Sequence, residues 1–183
     1  MLIGDSMCAQ NTDTANLETK GFCWYKTTNG IKRHLLVDVL GNVYFVRCTK
    51  ANVSDDDGLL GIIRENKQYF LDLPAGHVVT ILLDHGYHRE HLEAEIKKLD
   101  GRLSSRIKIE IAEKITPEQR AAAKAEKPTK QGFVVIPKRW IVERTNAWIN
   151  QCRVLWKNCE GLLRTSEAKI RICSIRLILR RIA

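Results

Sequence analysis

The sequence predicts one α/β domain, a mixed five-stranded sheet flanked by helices. This prediction rests on the chain length, on short β-rich runs, and on helical segments that alternate with the later runs. With 183 residues, 44% of them hydrophobic, the chain is long enough to bury one sizeable core. The elements are predicted in the order strand, strand, strand, helix, strand, helix, strand, helix.

The first three strands are predicted to form an antiparallel start. A short apolar run, Leu2-Ile3-Gly4, is predicted to be a strand that ends at Asp5. The β-rich runs 33–40 and 43–49 follow and are joined by Gly41-Asn42. This dipeptide favours a tight turn with positive φ, so we expect the two runs to form a hairpin.

A helix and a buried strand come next. The acids Asp55-Asp56-Asp57 are predicted to cap and charge the amino end of a helix that extends to Phe70. The breaker Pro74-Ala75-Gly76 ends this helix. The apolar run 78–83 then predicts a buried strand, and Asp84 follows it directly.

The remaining chain is predicted to be mainly helical. A helix over 88–99 precedes a strand over 106–111, in which isoleucines alternate with charged residues. The stretch from about 114 to 131 is rich in Ala, Lys, Glu and Pro, which predicts a mobile insertion. Two basic helices follow over 137–159 and 166–182, and we expect the second to be apolar on one side and cationic on the other.

Three carboxylates occupy informative positions. Asp84 follows a buried strand, and the carboxyl ends of such strands are where α/β proteins place their chemistry. Asp5 closes the first strand, and Glu143 is expected on a helix face away from the buried stripe. Carboxylate oxygens suit Mg²⁺ and Mn²⁺, so acids from three distant segments predict a divalent-metal site.

Composition limits the partners and the compartment. A net charge of +9 and a pI near 9.4 favour a polyanionic partner such as nucleic acid, although a basic protein without such a partner is the alternative. No secretory signal pattern is present, and no apolar stretch approaches the roughly 20 residues that span a bilayer, which predicts a cytoplasmic protein. The six cysteines contain no CxxC pair, which argues against a zinc site or a disulfide framework.

Five strings along the chain are informative together: Asp5-Ser6, Ile31-Lys32-Arg33-His34-Leu35-Leu36-Val37-Asp38, Ala51-Asn52-Val53-Ser54-Asp55, Asp84-His85-Gly86-Tyr87 and Arg139-Trp140-Ile141-Val142-Glu143-Arg144-Thr145. In this order they resemble the catalytic domain of bacterial insertion-sequence transposases of the DDE superfamily, in the fifth family (IS-five-like). The resemblance covers nearly the whole chain. It implies an RNase H-like fold and metal-dependent DNA strand cleavage and strand transfer at the terminal inverted repeats.

The resemblance also implies roles for individual residues. Asp5, Asp84 and Glu143 would be the catalytic residues and the ligands of two Mg²⁺ or Mn²⁺ ions. The partners of the protein would be double-stranded DNA, at the inverted repeats and at the target, and further copies of the chain in a synaptic complex. This complex would form at the bacterial nucleoid. The cations predicted to contact DNA are Lys32, Arg33, Arg139, Arg144, Arg153, Arg176, Arg180 and Arg181.

The sequence departs from the family pattern in two ways. Ile136 and Asn150 stand where the family signature has a Tyr and a Lys or Arg. Because Asp5 lies close to Met1, we expect one catalytic domain over 1–183 without the amino-terminal DNA-binding region, which a frameshift fusion or a partner subunit would supply. A truncated, non-enzymatic remnant that binds DNA or inhibits a transposase is the alternative function, and an unrelated RNase H-like nuclease is a third.

Each candidate acid also has a structural alternative. Asp5 could lie in a turn, and Asp84 could cap the helix that follows it. Glu143 could simply pair with Arg139 at a spacing of i,i−4. A fourth acid, Asp38, precedes the hairpin turn and is predicted to bind turn amides rather than to take part in chemistry.

Overall fold

The computed structural model describes residues 1–13, 15–112 and 138–182. The predicted insertion at about 114–131 falls outside these residues. The strands are β1 (Leu2–Gln10), β2 (Gly21–Cys23), β3 (Thr28–Val37), β4 (Val43–Lys50), β5 (Val79–Leu83) and β6 (Ile107–Ile111). The helices are α1 (Asp55–Glu65), α2 (Lys67–Leu71), α3 (Arg89–Leu99), a 3₁₀ helix (Gly101–Ser105), α4 (Arg139–Gln151) and α5 (Leu163–Ile182).

All described strands belong to one mixed sheet. Strand β1 lies between β3, which is antiparallel to it, and β5, which is parallel. Strand β6 extends the sheet beyond β5, and both β2 and β4 pair with the far side of β3. A mixed, curled sheet flanked by helices confirms the predicted fold class and is consistent with an RNase H-like fold. The five predicted strands are all present, and the three-residue strand β2 was not predicted.

Each face of the sheet buries its own core. Side chains alternate along a strand, so Leu2 packs with the buried residues of α1 and α3, whereas its neighbour Ile3 packs with those of α4 and α5. The buried centres are mainly apolar on both faces. Inside them lie Ile81 and Leu83 on the α1/α3 face and Leu35 on the α4/α5 face.

The first strand is longer than predicted. We expected it to end at Asp5, but β1 continues to Gln10, so this prediction is wrong. The reason is tertiary: strand β3 offers a continuous antiparallel partner from Val37, opposite Ile3, to Gly30, opposite Gln10. Backbone pairing therefore overrides the polar composition of the second half of β1.

The hairpin turn between β3 and β4 has the predicted residues at its centre. Gly41 has a φ of +85°, which glycine adopts without steric cost. The Asp38 carboxylate accepts hydrogen bonds from the Leu40 and Asn42 amides at 2.8 and 2.9 Å and from the Asn42 side chain at 2.9 Å. The structural role predicted for Asp38 is thus confirmed, although β3 itself ends at Val37.

Helix α1 is capped one residue before the acids that we predicted to cap it. Its N-cap is Ser54, whose side chain accepts a hydrogen bond from the Asp57 amide at 3.0 Å. The three acids instead occupy the first turn, where their negative charges interact favourably with the helix dipole. The helix is also shorter than predicted, because it ends at Glu65 and a separate short helix, α2, carries Phe70.

The carboxyl-terminal helices differ from their predictions in extent and exposure. Helix α4 ends at Gln151 rather than near residue 159, although Leu155 beyond it is still buried. Helix α5 does not divide into one apolar and one cationic side, because Ile172 and Leu179 are exposed among its arginines. Among the helices of the described residues, none is long and apolar enough to cross a membrane.

Candidate active site

Two of the three predicted acids lie on neighbouring parallel strands. The last recorded pair between β1 and β5 is Ile3 with Leu82. The same register, extended by two residues along each strand, places Asp5 beside Asp84. Asp5 lies within β1, and Asp84 follows the last residue of β5. Side chains at the same level of parallel strands point to the same face, which is here the face covered by α4.

Helix α4 carries the third acid, Glu143, and its Arg139 links Glu143 to Asp84. The Arg139 guanidinium lies 3.1 Å from the Asp84 carboxylate and 3.2 Å from the Glu143 carboxylate. These two acids therefore share one cation. Glu143 does pair with Arg139 at i,i−4, but the alternative of a plain surface pair is incomplete, because the Arg139 side chain is only 10% exposed and also binds Asp84.

Asn146 binds Asp5 and was not among the predicted site residues. Its amide donates a hydrogen bond of 2.8 Å to the Asp5 carboxylate. Its side-chain oxygen is buried without a hydrogen-bond partner. Arg139, Glu143 and Asn146 follow the spacing i, i+4, i+7, which places all three on one helix face. That spacing is visible in the sequence and is the signal that would have identified Asn146.

The Asp84 carboxylate has a second role. It accepts a hydrogen bond of 2.7 Å from the Gly86 amide, which shapes the turn between β5 and α3. The alternative that Asp84 caps α3 does not match this geometry, because the N-cap position of α3 is His88. That end of α3 is held instead by Asp56, which binds the His88 ring at 2.8 Å.

The environment of Asp5 works against its charged form. Burial raises the pKa of the Asp5 carboxyl above its ordinary value, and the neighbouring charges of Glu143 and Asp55 act in the same direction. The Arg139 charge and a hydrogen bond from the Ser6 backbone oppose this rise in pKa without cancelling it. Because its neighbours only partly stabilise the charged form of Asp5, an additional cation would stabilise that buried carboxylate.

A cavity of about 630 Å³ opens beside Asp5, with Glu143 and Asn146 in its wall. A fourth acid, Asp55, also lines it and binds the Lys32 ammonium at 2.8 Å and the Ser6 hydroxyl at 2.7 Å. Burial alone would raise the pKa of Asp55, but the hydrogen bonds from Lys32 and Ser6 outweigh it and lower the pKa. Asp55 is thus an anion beside the predicted acids.

The rim of this cavity is aromatic and basic. Trp24 and Tyr25, in the turn between β2 and β3, are 85% and 90% exposed. Tyr25 and Lys26 line the cavity, and the Lys26 ammonium lies 5.2 Å from the centre of the Tyr25 ring. These residues were not predicted to belong to the site, because strand β2, which positions them, was not predicted.

The cations predicted to contact DNA fall into different settings. Lys32 lines the cavity and Arg139 joins two of the acids. Arg33 is only 2% exposed, so its side chain lies inside the α4/α5 core. Its pKa is lowered by this burial. The exposed members of the set are Arg153, Arg176, Arg180 and Arg181.

Two of the predicted cations, Arg144 and Arg181, lie close to tryptophan rings. The Arg144 guanidinium lies 4.5 Å from the ring centres of both Trp140 and Trp148, and Arg181 lies 4.2 Å from that of Trp148. Both arginines also donate hydrogen bonds to the Leu40 carbonyl, at 2.9 and 3.4 Å. They therefore fasten the hairpin turn to α4 and α5.

The donor set fits a hard divalent cation, although the acids are not gathered around one point. Within residues 1–13, 15–112 and 138–182, no three His, Cys, Asp or Glu side chains converge closely enough to hold one metal ion. The Arg139 guanidinium contacts both Asp84 and Glu143 and partly balances their charge. The oxygen ligands themselves are of the type that Mg²⁺ and Mn²⁺ prefer, and the unpartnered Asn146 oxygen adds one more.

The chain belongs to the family of transposase DDE domains, whose model matches residues 5–178. Membership implies a function in DNA transposition, with a DNA substrate, divalent metal ions and enzymatic activity of the nuclease or transposase kind. Comparison with curated proteins and with solved structures gave no match in either case. The matched range includes Asp5, Asp84 and Glu143.

Proposed function

We propose that this chain is the catalytic domain of an insertion-sequence transposase of the fifth (IS-five-like) family, which cleaves and joins DNA strands at the ends of its element. One observation carries the proposal: residues on one face of α4 contact all three acids, because Arg139 pairs with Asp84 and Glu143 and Asn146 binds Asp5. In a chain of the transposase DDE family, three acids in this arrangement are the natural candidates for the catalytic site.

Asp5, Asp84 and Glu143 would hold the divalent metal, as two Mg²⁺ or Mn²⁺ ions. When bound, these ions supply charge that activates the attacking oxygen and stabilises the leaving oxygen of a phosphodiester. The raised pKa of Asp5 supports this assignment, because a cation would offset the cost of its buried charge.

The other residues of the site would orient the acids and the substrate. Asn146 fixes the Asp5 carboxylate through its 2.8 Å hydrogen bond. Arg139 holds Asp84 and Glu143 at a defined separation and offers a guanidinium that suits a phosphate. Lys32, paired with Asp55, places a second cation in the cavity.

We assign the DNA to the cavity mouth. Arg153 would contact the phosphate backbone outside the cavity, and Trp24 and Tyr25 offer ring faces on which bases stack. Terminal inverted repeats and target DNA would be bound in turn, in a synaptic complex of more than one copy. Recognition of the repeats would come from an amino-terminal DNA-binding subunit or region, and the complex would act in the bacterial cytoplasm at the nucleoid.

The test is nicking of supercoiled plasmid in Mn²⁺ or Mg²⁺ by the purified chain, compared with an Asp5/Asp84/Glu143 triple-alanine variant. We expect nicking that requires the metal and that the triple variant lacks, while both proteins retain salt-sensitive DNA binding. A folded protein that binds DNA without nicking it would contradict the enzymatic proposal and favour the non-enzymatic remnant.

A further inference from the structure

Helix α5 carries a row of apolar side chains on the side that faces away from the sheet. We define the α5 seam as Ala168, Ile172, Ile175, Leu179 and Ile182. Its four large members, from Ile172 to Ile182, are 65%, 56%, 55% and 77% exposed in chain order. The opposite side of the helix already packs into the core through Ile170 and Cys173. The seam is therefore not needed to attach α5 to the domain.

The spacing of the seam is that of a coiled coil. Its members alternate at four and three residues from Ala168 to Ile182, so they occupy successive a and d positions of a heptad. Single exposed apolar residues are normal on a protein surface, but an aligned row marks an interaction surface. A row with this period fits the side chains of a second helix better than a flat surface.

The charges beside the seam select the partner. Of the four positions that flank a and d, three hold the cations Lys169, Arg171 and Arg176, and the fourth holds Ile178. Two of them have intrachain acids: Lys169 pairs with Glu160, and Arg171 lies 3.6 Å from Glu167. The charge of the flanks is nonetheless positive. A second copy of this helix would place cations opposite cations, whereas glutamates would complement them.

We propose that the α5 seam binds an acidic amphipathic helix of another protein, with Leu or Ile at its a and d positions and Glu at its e and g positions. DNA phosphates match the cations but leave the apolar side chains against a polar backbone. The partner helix satisfies both features at once. The proposal goes beyond strand cleavage and uses a surface of α5, whereas the candidate acids lie on β1, β5 and α4.

The experiment is calorimetric titration of the full chain with a synthetic acidic heptad peptide that has Leu at a and d and Glu at e and g. A peptide of the same composition in scrambled order controls for simple charge attraction to a basic protein. We expect saturable binding of the heptad peptide, at least roughly tenfold tighter than the scrambled peptide. Ile175→Asp should weaken heptad binding by a similar factor, whereas Val154→Asp, at a residue 56% exposed outside α5, should not.

Several results would overturn the proposal. The proposal of a helical partner would be refuted if the heptad peptide did not bind or if both peptides bound equally. It would also be refuted if the Ile175→Asp variant bound the heptad peptide as tightly as the wild type. Sedimentation of the free chain tests the second-copy alternative: a dimer that Ile175→Asp dissociates would assign the seam to self-association. Equal weakening of duplex DNA binding by Ile175→Asp and Arg176→Glu would assign this face to DNA instead. Unchanged DNA binding by Ile175→Asp supports the proposal.

Discussion

Replacing Asp5 with Asn should make the protein more stable at neutral pH while removing its activity. The folded state keeps the Asp5 carboxylate largely buried, and this burial, with the charges of Glu143 and Asp55, raises its pKa despite the opposing charge of Arg139. Asparagine removes the charge but keeps an oxygen that can accept the 2.8 Å hydrogen bond from Asn146. Functional residues held at a cost to stability are where such gains arise.

The expected gain is about 0.5–2 kcal/mol in the free energy of unfolding, the usual range for a single stabilising change. In a domain of this size each kcal/mol raises Tm by about 2–4 °C. The gain must also depend on pH. Below pH about 3.9 the carboxyl is protonated in both folded and unfolded states, so wild type and variant differ little. As pH rises through the raised folded pKa, the wild type alone loses stability.

Urea unfolding of wild type and Asp5→Asn from pH 4 to 8 measures this difference directly. Asp13→Asn, a change at an exposed aspartate near the end of β1, is the matched control and should leave stability unchanged at each pH. A variant less stable than wild type at pH 7 would refute the reasoning. So would a stability difference that stays constant across the pH range, because it would not come from ionisation.

Three other changes test how the surrounding structure is held. Asp38→Ala removes three hydrogen bonds in the hairpin turn and should cost about 1–3 kcal/mol in urea unfolding; a cost near zero would contradict that role. Gly58→Ala places a Cβ 2.0 Å from the buried His34 ring and should lower Tm, with a cost of about 1–3 kcal/mol; unchanged Tm would disprove this packing. Arg144→Lys keeps the charge but loses the guanidinium that lies 4.5 Å from two tryptophan ring centres and should cost about 1–2 kcal/mol, which wild-type stability of the lysine variant would contradict.

The fold was predictable because its strongest signals are local. An apolar run identified β5, and β-rich runs identified the two hairpin strands, β3 and β4. Gly41-Asn42 identified the turn between β3 and β4. The extent of β1 was not predictable, because its second half is polar and is held by pairing with β3, a contact distant in sequence. Strand β2 has only three residues, too few for a pattern of alternation.

The candidate site was predictable in its acids but not in the groups between them. A carboxylate after a buried strand can be recognised from sequence, as Asp84 was. The position of Arg139 depends on how α4 crosses the sheet, and nothing in the local sequence predicts that one guanidinium contacts two acids. Burial of Arg33 was likewise not predicted, since it stood at the start of the predicted strand, where a basic residue resembles a surface cation, whereas β3 begins at Thr28.

The most direct test of the central claim is Mn²⁺ binding, followed by electron paramagnetic resonance, in wild type and in three single variants. The variants are Asp5→Asn, Asp84→Asn and Glu143→Gln, which remove one charge each and keep the side-chain size. If the three acids form one metal site, each variant should bind Mn²⁺ at least roughly tenfold more weakly, and Asp13→Asn should bind like wild type. Wild-type affinity in all three variants would contradict the account.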